Sequence, residues 1–534
     1  MRLIFSAPGR RRLAAGLLCV IALPLFPQEN TEADDYPYPE DELVFEEEEG
    51  LTVVGTRETS QQMEVIDKAE IERRGSADLA ELLRETLGLG ITRYGAYGNQ
   101  TSINLRGFDS ERIAFLIDGV PVNSAMDGEF DFNQIDLASV ERVEVIYGGS
   151  DTKYNVSGAL GGVINIVTMK KQKPGLRISA GLSNTSAMPG EYRDRNGQTG
   201  GPNWEDLADT QNATFSAALG GKSYSVSAGT FLNRAENHFL FVDYLDYIRR
   251  KDHNEVWDAG ASLSLIKELP DLTKLLSSSS VYYGDKNIPT SGFSSLFGRQ
   301  RDSSFRQNLM LEMPRAFHDS LSTEASLTWY FTNREYAPPS GAASVHRQHS
   351  LQAINRWNWY PGEKLTIRSG FDYRFITLDS TDMGGRSRHD GGAYLTAEFR
   401  PAAPLQIIPS IKAVMSDTGD SKIVPVPKLG FIWKPSDFFT LKNNYFRSFK
   451  FPDFEELYWS GGGGYGNPDL KPEDGWGGDL GAVMRYKDTV ALESTFFTQW
   501  TADSIHWAVG PGNIWKPQNV GEAIFFGLDS RLRF

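Results

Sequence analysis

Three segments of this chain carry its strongest structural signal: Asp118-Gly119-Val120-Pro121, then Val140-Glu141-Arg142-Val143-Glu144-Val145-Ile146, then Gly158-Ala159-Leu160-Gly161-Gly162-Val163-Ile164-Asn165-Ile166-Val167-Thr168. The apolar runs Ile113–Ile117, just before the first segment, and Val143–Ile146 and Val163–Val167, within the other two, are short and rich in apolar residues. Polar, glycine-rich loops separate them, which predicts strands. Leucines at helical spacing precede these strands, with Ser76 as the candidate N-cap and Gly88 as the C-terminal stop. Residues 60–170 therefore predict a compact α+β domain.

After Lys171 the apolar pattern changes to a period of two, which is typical of half-buried strands. Turn-rich loops of unequal length, such as 186–211 and 379–391, separate these segments. Short turns that alternate with long loops are typical of an outer-membrane barrel, although soluble sandwiches also alternate. About sixteen candidate strands can be identified by this pattern.

The composition narrows the class of protein. The chain has 534 residues, a net charge of -15, 52 glycines and 12% aromatic residues, and its mean hydropathy is -0.37. The negative charge argues against a nucleic-acid partner. A barrel with a polar interior keeps a low mean hydropathy, because its apolar residues occupy alternate positions only.

The N-terminus predicts export from the cytoplasm. Arg10-Arg11-Arg12 precedes the apolar run Leu13–Phe26, so residues 1–28 are predicted to be a signal peptide, with a lipoprotein signal that uses Cys19 as the less favoured alternative. Cys19 is the single cysteine, so the mature chain would have no disulfide. Residues 29–50 are acidic and predicted to be disordered. No later run reaches the ~18 apolar residues of a membrane helix, so any membrane crossing would need a closed barrel.

Two groups of motifs resemble one known family. Ile103-Asn104-Leu105-Arg106-Gly107-Phe108, Leu116–Pro121 and Val140–Ile146 resemble the plug domain of TonB-dependent outer-membrane receptors, over residues 51–170. Phe446–Pro452 and Gly466–Glu473, followed by Asn519-Val520-Gly521 and Gly527-Leu528-Asp529, resemble motifs in the barrel of that family. Tyr147-Gly148-Gly149 and Tyr154-Asn155-Val156-Ser157 depart from the family pattern, which puts the geometry of two loops in question rather than the fold.

The resemblance implies a transmembrane antiparallel β-barrel in the outer membrane, with an N-terminal α+β plug domain inside its lumen. The expected domains are a plug at 57–171 and a barrel at 172–534. Transporters of this class have about 22 strands, more than the sixteen found in the sequence. The expectation is therefore a chain truncated at its C-terminus, and the alternative is a smaller natural barrel in which Phe534 serves as the assembly signal.

The resemblance also implies a periplasmic partner, a TonB-type energy transducer. Residues 51–56 match the position of the family's Ton box, so Leu51, Thr52, Val53 and Val54 are the predicted coupling residues. An apolar, β-branched segment can pair as an added strand with a partner sheet. The alternative is that this segment is the first strand of the plug.

Two sets of site residues are predicted. Arg106, Glu141, Arg142 and Glu144 are candidates for ion pairs that hold the plug in the barrel, with solvated strand faces as the alternative. Ligand contacts are expected at the tips of the plug loops, where aromatic residues suit large, partly apolar ligands. The candidates are Tyr94, Tyr97, Asn99, Met126 and Phe130, and packing of these loops against the barrel wall is the alternative for each.

The predicted function is active uptake of a scarce, large nutrient chelate such as a ferric siderophore or cobalamin. No catalytic residues, cofactor site or metal site are predicted; the His346/His349 pair is weak as a metal site, and no histidine lies between Arg447 and Pro472, which argues against haem. The alternatives are a passive outer-membrane channel or surface adhesin with a vestigial plug, and a β-sandwich enzyme, for which no catalytic group of residues is found.

Overall fold

The computed structural model describes residues 59–534, except for 77, 94–96, 150–151, 155, 169–170, 187–191, 194–198, 202–206, 243–246, 252, 290–296, 419–422 and 488. Two bodies make up this part of the chain. The first is a small α+β domain, here called the plug, and the second is a large antiparallel sheet that surrounds it. The predicted signal peptide, acidic segment and coupling residues Leu51–Val54 lie outside the described residues.

The plug is built around a five-stranded sheet of order β1-β6-β7-β4-β5, in which β4 and β7 run parallel. A separate hairpin pairs β2 with β3. Every residue of β4 and β7 is buried, as expected for short apolar runs at the centre of a sheet. The elements are β1 Met63–Asp67, α1 Lys68–Arg74, α2 Leu79–Leu83, β2 Leu89–Arg93, β3 Thr101–Leu105, β4 Ile113–Ile117, β5 Val120–Pro121, β6 Arg142–Tyr147 and β7 Gly162–Val167.

Both plug helices begin at an aspartate that caps the first turn. Asp67 accepts a hydrogen bond from the backbone N–H of Glu70 in α1, which ends at Gly75 with a positive φ of 60°. Asp78 caps α2 by accepting from the N–H of Glu81, at 2.8 Å. The predicted cap, Ser76, is therefore two residues too early. Serine and aspartate are both common N-caps, so the sequence alone did not distinguish Ser76 from Asp78.

The second body contains the remaining strands and one short helix. They are β8 Gly175–Thr185, β9 Tyr192–Arg193, β10 Thr199–Gly200, β11 Thr210–Gly220, β12 Tyr224–Ala235, β13 Phe239–Val242, β14 Ile248–Lys251, β15 Val256–Glu268, β16 Lys274–Pro289, β17 Phe297–Met313, β18 Leu321–Ala337, β19 Ser344–Gly362, β20 Leu365–Ser380, β21 Gly384–Ala402, β22 Leu405–Ser416, β23 Val424–Ser436, β24 Phe439–Lys450, α3 Phe454–Tyr458, β25 Ser460–Gly461, β26 Gly464–Tyr465, β27 Glu473–Tyr486, β28 Val490–Ala502, β29 Ile505–Val509, β30 Trp515–Asn519 and β31 Glu522–Arg533.

Sixteen of these strands form one continuous sheet that runs from β8 to β31, and each neighbouring pair is antiparallel. This number agrees with the sixteen strands that the sequence pattern predicts. Strands β8 and β31 are the two edges of the sheet and, among the described residues, they are not paired with each other. Leu182 on β8 has an exposed fraction of 89%, so this edge is uncovered on its apolar side.

The two faces of the sheet have opposite character. Leu309 and Leu327 are cross-strand partners on β17 and β18, and both are about half exposed on the outer face. The adjacent residues Asn308 and Thr328 point inward, are fully buried and share a hydrogen bond of 2.9 Å. An apolar outside and a polar inside are typical of a barrel that sits in lipid. None of the described helices combines the length and the apolar character needed to cross a bilayer.

Connections between barrel strands differ at the two ends. Tight turns join pairs such as β19–β20 and β21–β22 at one end, whereas some connections at the other end carry further structure. The expected loop at 379–391 is wrong, because β21 begins at Gly384 and only residues 381–383 join it to β20. The connection from β24 to β27 contains α3, and it meets the connection from β28 to β31 in a four-stranded sheet of order β25-β26-β30-β29. The connections at this end lie over the plug and create the cavity described next.

Candidate ligand site above the plug

A cavity of about 590 Å³ lies between the plug and the long connections of the barrel. The plug contributes residues 99–101, Glu111, Asp127 and residues 129–133 to its wall, and the barrel contributes Lys286, Arg334, the start of α3 and Trp507. We call this cavity the vestibule. It is large enough to hold a sizeable ligand and it opens at the end of the barrel that carries the long connections.

The floor of the vestibule is held by an aromatic cluster within the plug. Phe130 stacks on Phe115, with ring centroids 5.7 Å apart, and both rings contact Phe132. The cluster continues the main core of the plug, so the loop that carries Phe130 is anchored by apolar burial. The loop can therefore hold its polar neighbours in fixed positions.

One side of the vestibule is formed by α3, which docks directly on the plug. Its capping box joins Asp453 and Glu456 through reciprocal side-chain to backbone hydrogen bonds. The first N–H groups of this helix donate to the plug, from Phe454 to the carbonyl of Ala125 at 2.9 Å and from Glu455 to that of Met126 at 2.8 Å. The side chain of Phe454 is fully buried against Met126 and barrel residues. A plug loop and a barrel loop thus meet at the vestibule.

The lining of the vestibule is strongly acidic. Seven carboxylates reach it, and they belong to Glu111, Asp127, Glu129, Asp131, Asp453, Glu455 and Glu456. Two cationic side chains, Lys286 and Arg334, line it as well. Arg334 donates to Asp127 at 2.7 Å and to Asp302 at 3.2 Å, so its charge is already matched within the protein.

Burial and mutual repulsion raise the pKa of several of these carboxyl groups. Burial, with the charge of Asp127 next, raises the pKa of Glu455 to about 7. Burial likewise raises the pKa of Glu111 to about 7, against the opposing attraction of Lys450. Burial and Asp127 raise the pKa of Glu129. The vestibule therefore gains negative charge as the pH rises through neutrality.

Of the predicted ligand residues, two line the vestibule and the other described ones are held in contacts between plug and barrel. Phe130 and Asn99 lie on the wall of the vestibule. Met126 is buried in the contact with Phe454. Tyr97 is tied to the barrel, because its hydroxyl donates to Asp258 at 3.0 Å and accepts from Asn233 at 2.6 Å. Asn99 is also tied to the barrel, by a hydrogen bond of 3.2 Å to Asn254.

Tyr94 lies outside the described residues. The vestibule carboxylates were not identified from the sequence, because they come from several separate loops and follow no periodic pattern. The only local signal is the capping pattern of Asp453 and Glu456, which predicts a helix start rather than a site.

Of the residues predicted to form plug–barrel ion pairs, only Arg106 forms one in the described part of the chain. Arg106 pairs with Asp529 on β31, with Nη2 and Oδ2 2.5 Å apart, and also contacts Gln62. Arg142 and Glu144, in contrast, pair with each other at 2.8 Å within the plug sheet, because both side chains lie on the same face of β6. This pair is internal to the plug and does not bridge to the barrel. Glu141 accepts from Gln172, just before β8, at 3.1 Å.

Other plug–barrel pairs were not found from the sequence. Arg112 makes a two-point contact with Glu473 on β27, with distances of 2.6 and 2.8 Å. Glu64 pairs with Arg531 on β31. The partners are separated by more than three hundred residues in each case, so no sequence spacing could have indicated them.

The match to known families follows the same division into plug and barrel. Residues 55–163 match the TonB-dependent receptor plug domain, and residues 185–534 match the TonB-dependent receptor-like β-barrel. The chain belongs to the TonB-dependent receptor family. It is an outer-membrane protein of a transport family, and members of this family are receptors and transporters rather than enzymes.

Individual TonB-dependent receptors resemble the chain to different degrees. The vitamin B12 transporter BtuB of Vibrio vulnificus strain YJ016 is 26% identical over 505 residues, covering 90% of this chain and 75% of that protein. BtuB of Photobacterium profundum is 25% identical over 477 residues, covering 87% and 72%. The siderophore receptor PirA from Pseudomonas aeruginosa superposes with a TM-score of 0.68 at 18% identity, covering 88% of this chain and 81% of that one. At this identity the structural likeness shows the fold.

Proposed function

We propose that this receptor binds a large, scarce nutrient chelate in the vestibule and imports it when a TonB-type transducer pulls on residues 51–56. The observation that carries the proposal is the position of the vestibule, with the plug below it and the long connections around it. Relatives named as vitamin B12 transporters and siderophore receptors place cobalamin and ferric siderophores among the candidate ligands. Since the plug occupies the interior of the sheet, passage needs a rearrangement that a partner must drive.

A passive channel with a vestigial plug is the alternative, and the plug contacts argue against it. Arg112 and Glu473 bind each other in a buried, two-point contact. Arg106 and Asp529 form a second buried pair. A plug held by such contacts blocks diffusion in the resting state, which favours energy-coupled transport.

The experiment deletes residues 51–55 from the full chain and follows uptake in cells that lack their own receptors. Radiolabelled cobalamin and a panel of ferric siderophores are supplied singly, and surface binding and accumulation are measured separately. We expect the deletion to abolish accumulation of the active ligand while surface binding remains. Deletion of residues 30–34 removes an equal length of the acidic segment and should leave both unchanged. Accumulation that persists without residues 51–55 would overturn energy coupling and favour the passive channel.

A further inference from the structure

The charged side chains that line the vestibule indicate which charge its ligand should carry. Its two cationic side chains are both occupied by carboxylates, Arg334 by Asp127 and Lys286 by Asp302, whose Oδ2 lies 3.5 Å from Nζ. Lys450, which lies next to the vestibule, contacts Glu456 at 2.9 Å and Asp453 at 3.4 Å. Arg334, Lys286 and Lys450 are therefore each already paired with a carboxylate of the protein itself.

Four carboxylates of the vestibule lack such a partner. Among the described residues, Glu111, Glu129, Asp131 and Glu455 have no ion-pair contact within 4.0 Å. Glu129 accepts a hydrogen bond from the amide of Gln100, at 3.3 Å, which leaves its charge in place. Partly buried carboxylates without a cation are costly, and nearby positive charge relieves that cost.

A second observation comes from a recess that adjoins the vestibule. The recess has a volume of about 50 Å³ and shares Glu129, Phe130 and Arg334 with the vestibule wall. Gln348 lines it with an exposed fraction of 3%. Its Oε1 accepts from the N–H of Ala125 at 3.0 Å, whereas its Nε2 is buried and has no partner in the described part of the chain. A buried donor of this kind fits an oxygen acceptor on a ligand.

We propose that the vestibule selects a chelate that carries net positive charge and presents carbonyl-type oxygens, and that it disfavours polyanionic chelates. The inference rests on the proposed function, because it assumes that the vestibule is the ligand site. Unpaired carboxylates attract a cationic group, and the donor of Gln348 satisfies an oxygen atom. The two described cations that line the vestibule, Lys286 and Arg334, are already paired with carboxylates and are not free to neutralise an anionic ligand.

The repulsion among the carboxylates gives the direction of a pH effect. Glu455 faces Asp127, Glu129, Glu456 and Arg334, and Glu111 faces Asp109, Glu456, Lys450 and Arg112. Both have a pKa raised to about 7, chiefly by burial. Protonation below that value removes the charge that attracts a cation, so cation affinity should fall as the pH is lowered from about 8 to about 6.

The test uses two inert complexes of similar size and opposite charge, hexaamminecobalt(III) and hexacyanocobaltate(III), titrated calorimetrically into the full chain in detergent. EDTA is present, so that no divalent cation can mediate binding. We expect the cationic complex to bind, and the double variant E129Q/E455Q to bind it about tenfold more weakly at low salt. The matched control E363Q makes the same substitution in the exposed β19–β20 turn, far from the vestibule, and should bind as the parent does.

A gain-of-charge variant keeps the test decisive if the double variant folds poorly. Gln100 is exposed at the vestibule wall, so Q100E leaves the core intact and replaces the amide that donates to Glu129 with a further carboxylate. At about pH 8 it should tighten binding of the cationic complex severalfold. Equal or tighter binding of hexacyanocobaltate(III) would overturn the inference. Binding of the cation that neither E129Q/E455Q nor Q100E alters would overturn it as well.

Failure of this inference can be told apart from failure of the proposed function. If the charge preference is absent while uptake still depends on residues 51–55, the inference about ligand charge is wrong and energy-coupled import stands. If the charge preference is present but uptake ignores that deletion, the vestibule binds cations and the coupling proposal is wrong.

Discussion

Replacing Glu473 with glutamine should loosen the plug inside the barrel. Glu473 is fully buried, contacts Arg112 at two points and also accepts from the N–H of Ile505 at 2.6 Å. Removing one partner of a buried pair costs about 3–5 kcal/mol, because the other charge stays buried and uncompensated. Asp109, which contacts Arg112 at 2.7 Å, still offsets part of that charge. We therefore expect E473Q to lower the free energy of plug opening by about 2–3 kcal/mol, at or just below the low end of that range.

Hydrogen–deuterium exchange measured by mass spectrometry reports this loss. A decrease of about 2–3 kcal/mol in the free energy of plug opening raises exchange rates about thirty- to 150-fold for amides that exchange through this opening, where reclosing is faster than exchange. Peptides that cover β4 and β7 should show the increase, whereas peptides from β16 and β17 should not. The comparison within one sample separates loosening of the plug from unfolding of the barrel.

A neighbouring ion pair provides the matched control. Asp474, one residue further on β27, pairs with Arg447 on β24 at 2.7 Å, and both side chains are partly exposed. D474N should change plug exchange little, since partly exposed pairs contribute about 0–1 kcal/mol. The double variant R112M/E473Q should recover much of the loss, because it removes the uncompensated charge. Equal effects of E473Q and D474N, or no recovery in the double variant, would refute the reasoning.

Two further variants, D118A and Y97F, should each weaken a contact of the plug. Asp118 accepts from the N–H of Thr168 at 2.8 Å and from its hydroxyl at 2.9 Å, at a positive φ of 52°, so D118A should destabilise the plug by about 2–3 kcal/mol and speed exchange in β7. Y97F removes the hydroxyl that donates to Asp258 on β15 and should loosen the attachment of Tyr97 to the barrel. About 1–3 kcal/mol of local stability should be lost, and limited proteolysis should cut residues 94–100 faster; an unchanged cleavage rate would contradict this role.

The plug strands could be predicted from the sequence because their signals are local. The runs predicted at 113–117, 143–146 and 163–167 appear as β4, β6 and β7 with bounds that differ by one residue at most. Each is a short apolar segment that ends at a turn, so the residues that define it are also its neighbours in sequence. The number of barrel strands was equally accessible, since alternation repeats along the chain.

The site could not be predicted in the same way. Arg112 and Glu473 meet only because β27 passes beside the plug, and the unpaired carboxylates Glu129 and Glu455 come from the plug and from a barrel connection. Arg142 and Glu144 had the right residue types for plug–barrel pairs, but their spacing of two on one strand places them side by side and they neutralise each other. Charge type is visible in a sequence, whereas the partner of a charge depends on long-range topology.

The contacts of the plug differ between its two ends, and this difference bears on how it can move. Near the vestibule, Ala125 and Met126 pack against Ile376 and Phe454 of the barrel, an apolar contact that loses burial when it opens. Near the start of the plug the contacts are polar, as in the hydrogen bond from Ser60 to Asn444 at 2.6 Å. A neutral hydrogen bond of this kind can be exchanged for water at a small net cost, whereas an apolar contact loses its burial outright. Under the proposed function, a pull on residues 51–56 should reach this hydrogen-bonded contact before the apolar contact that faces the vestibule.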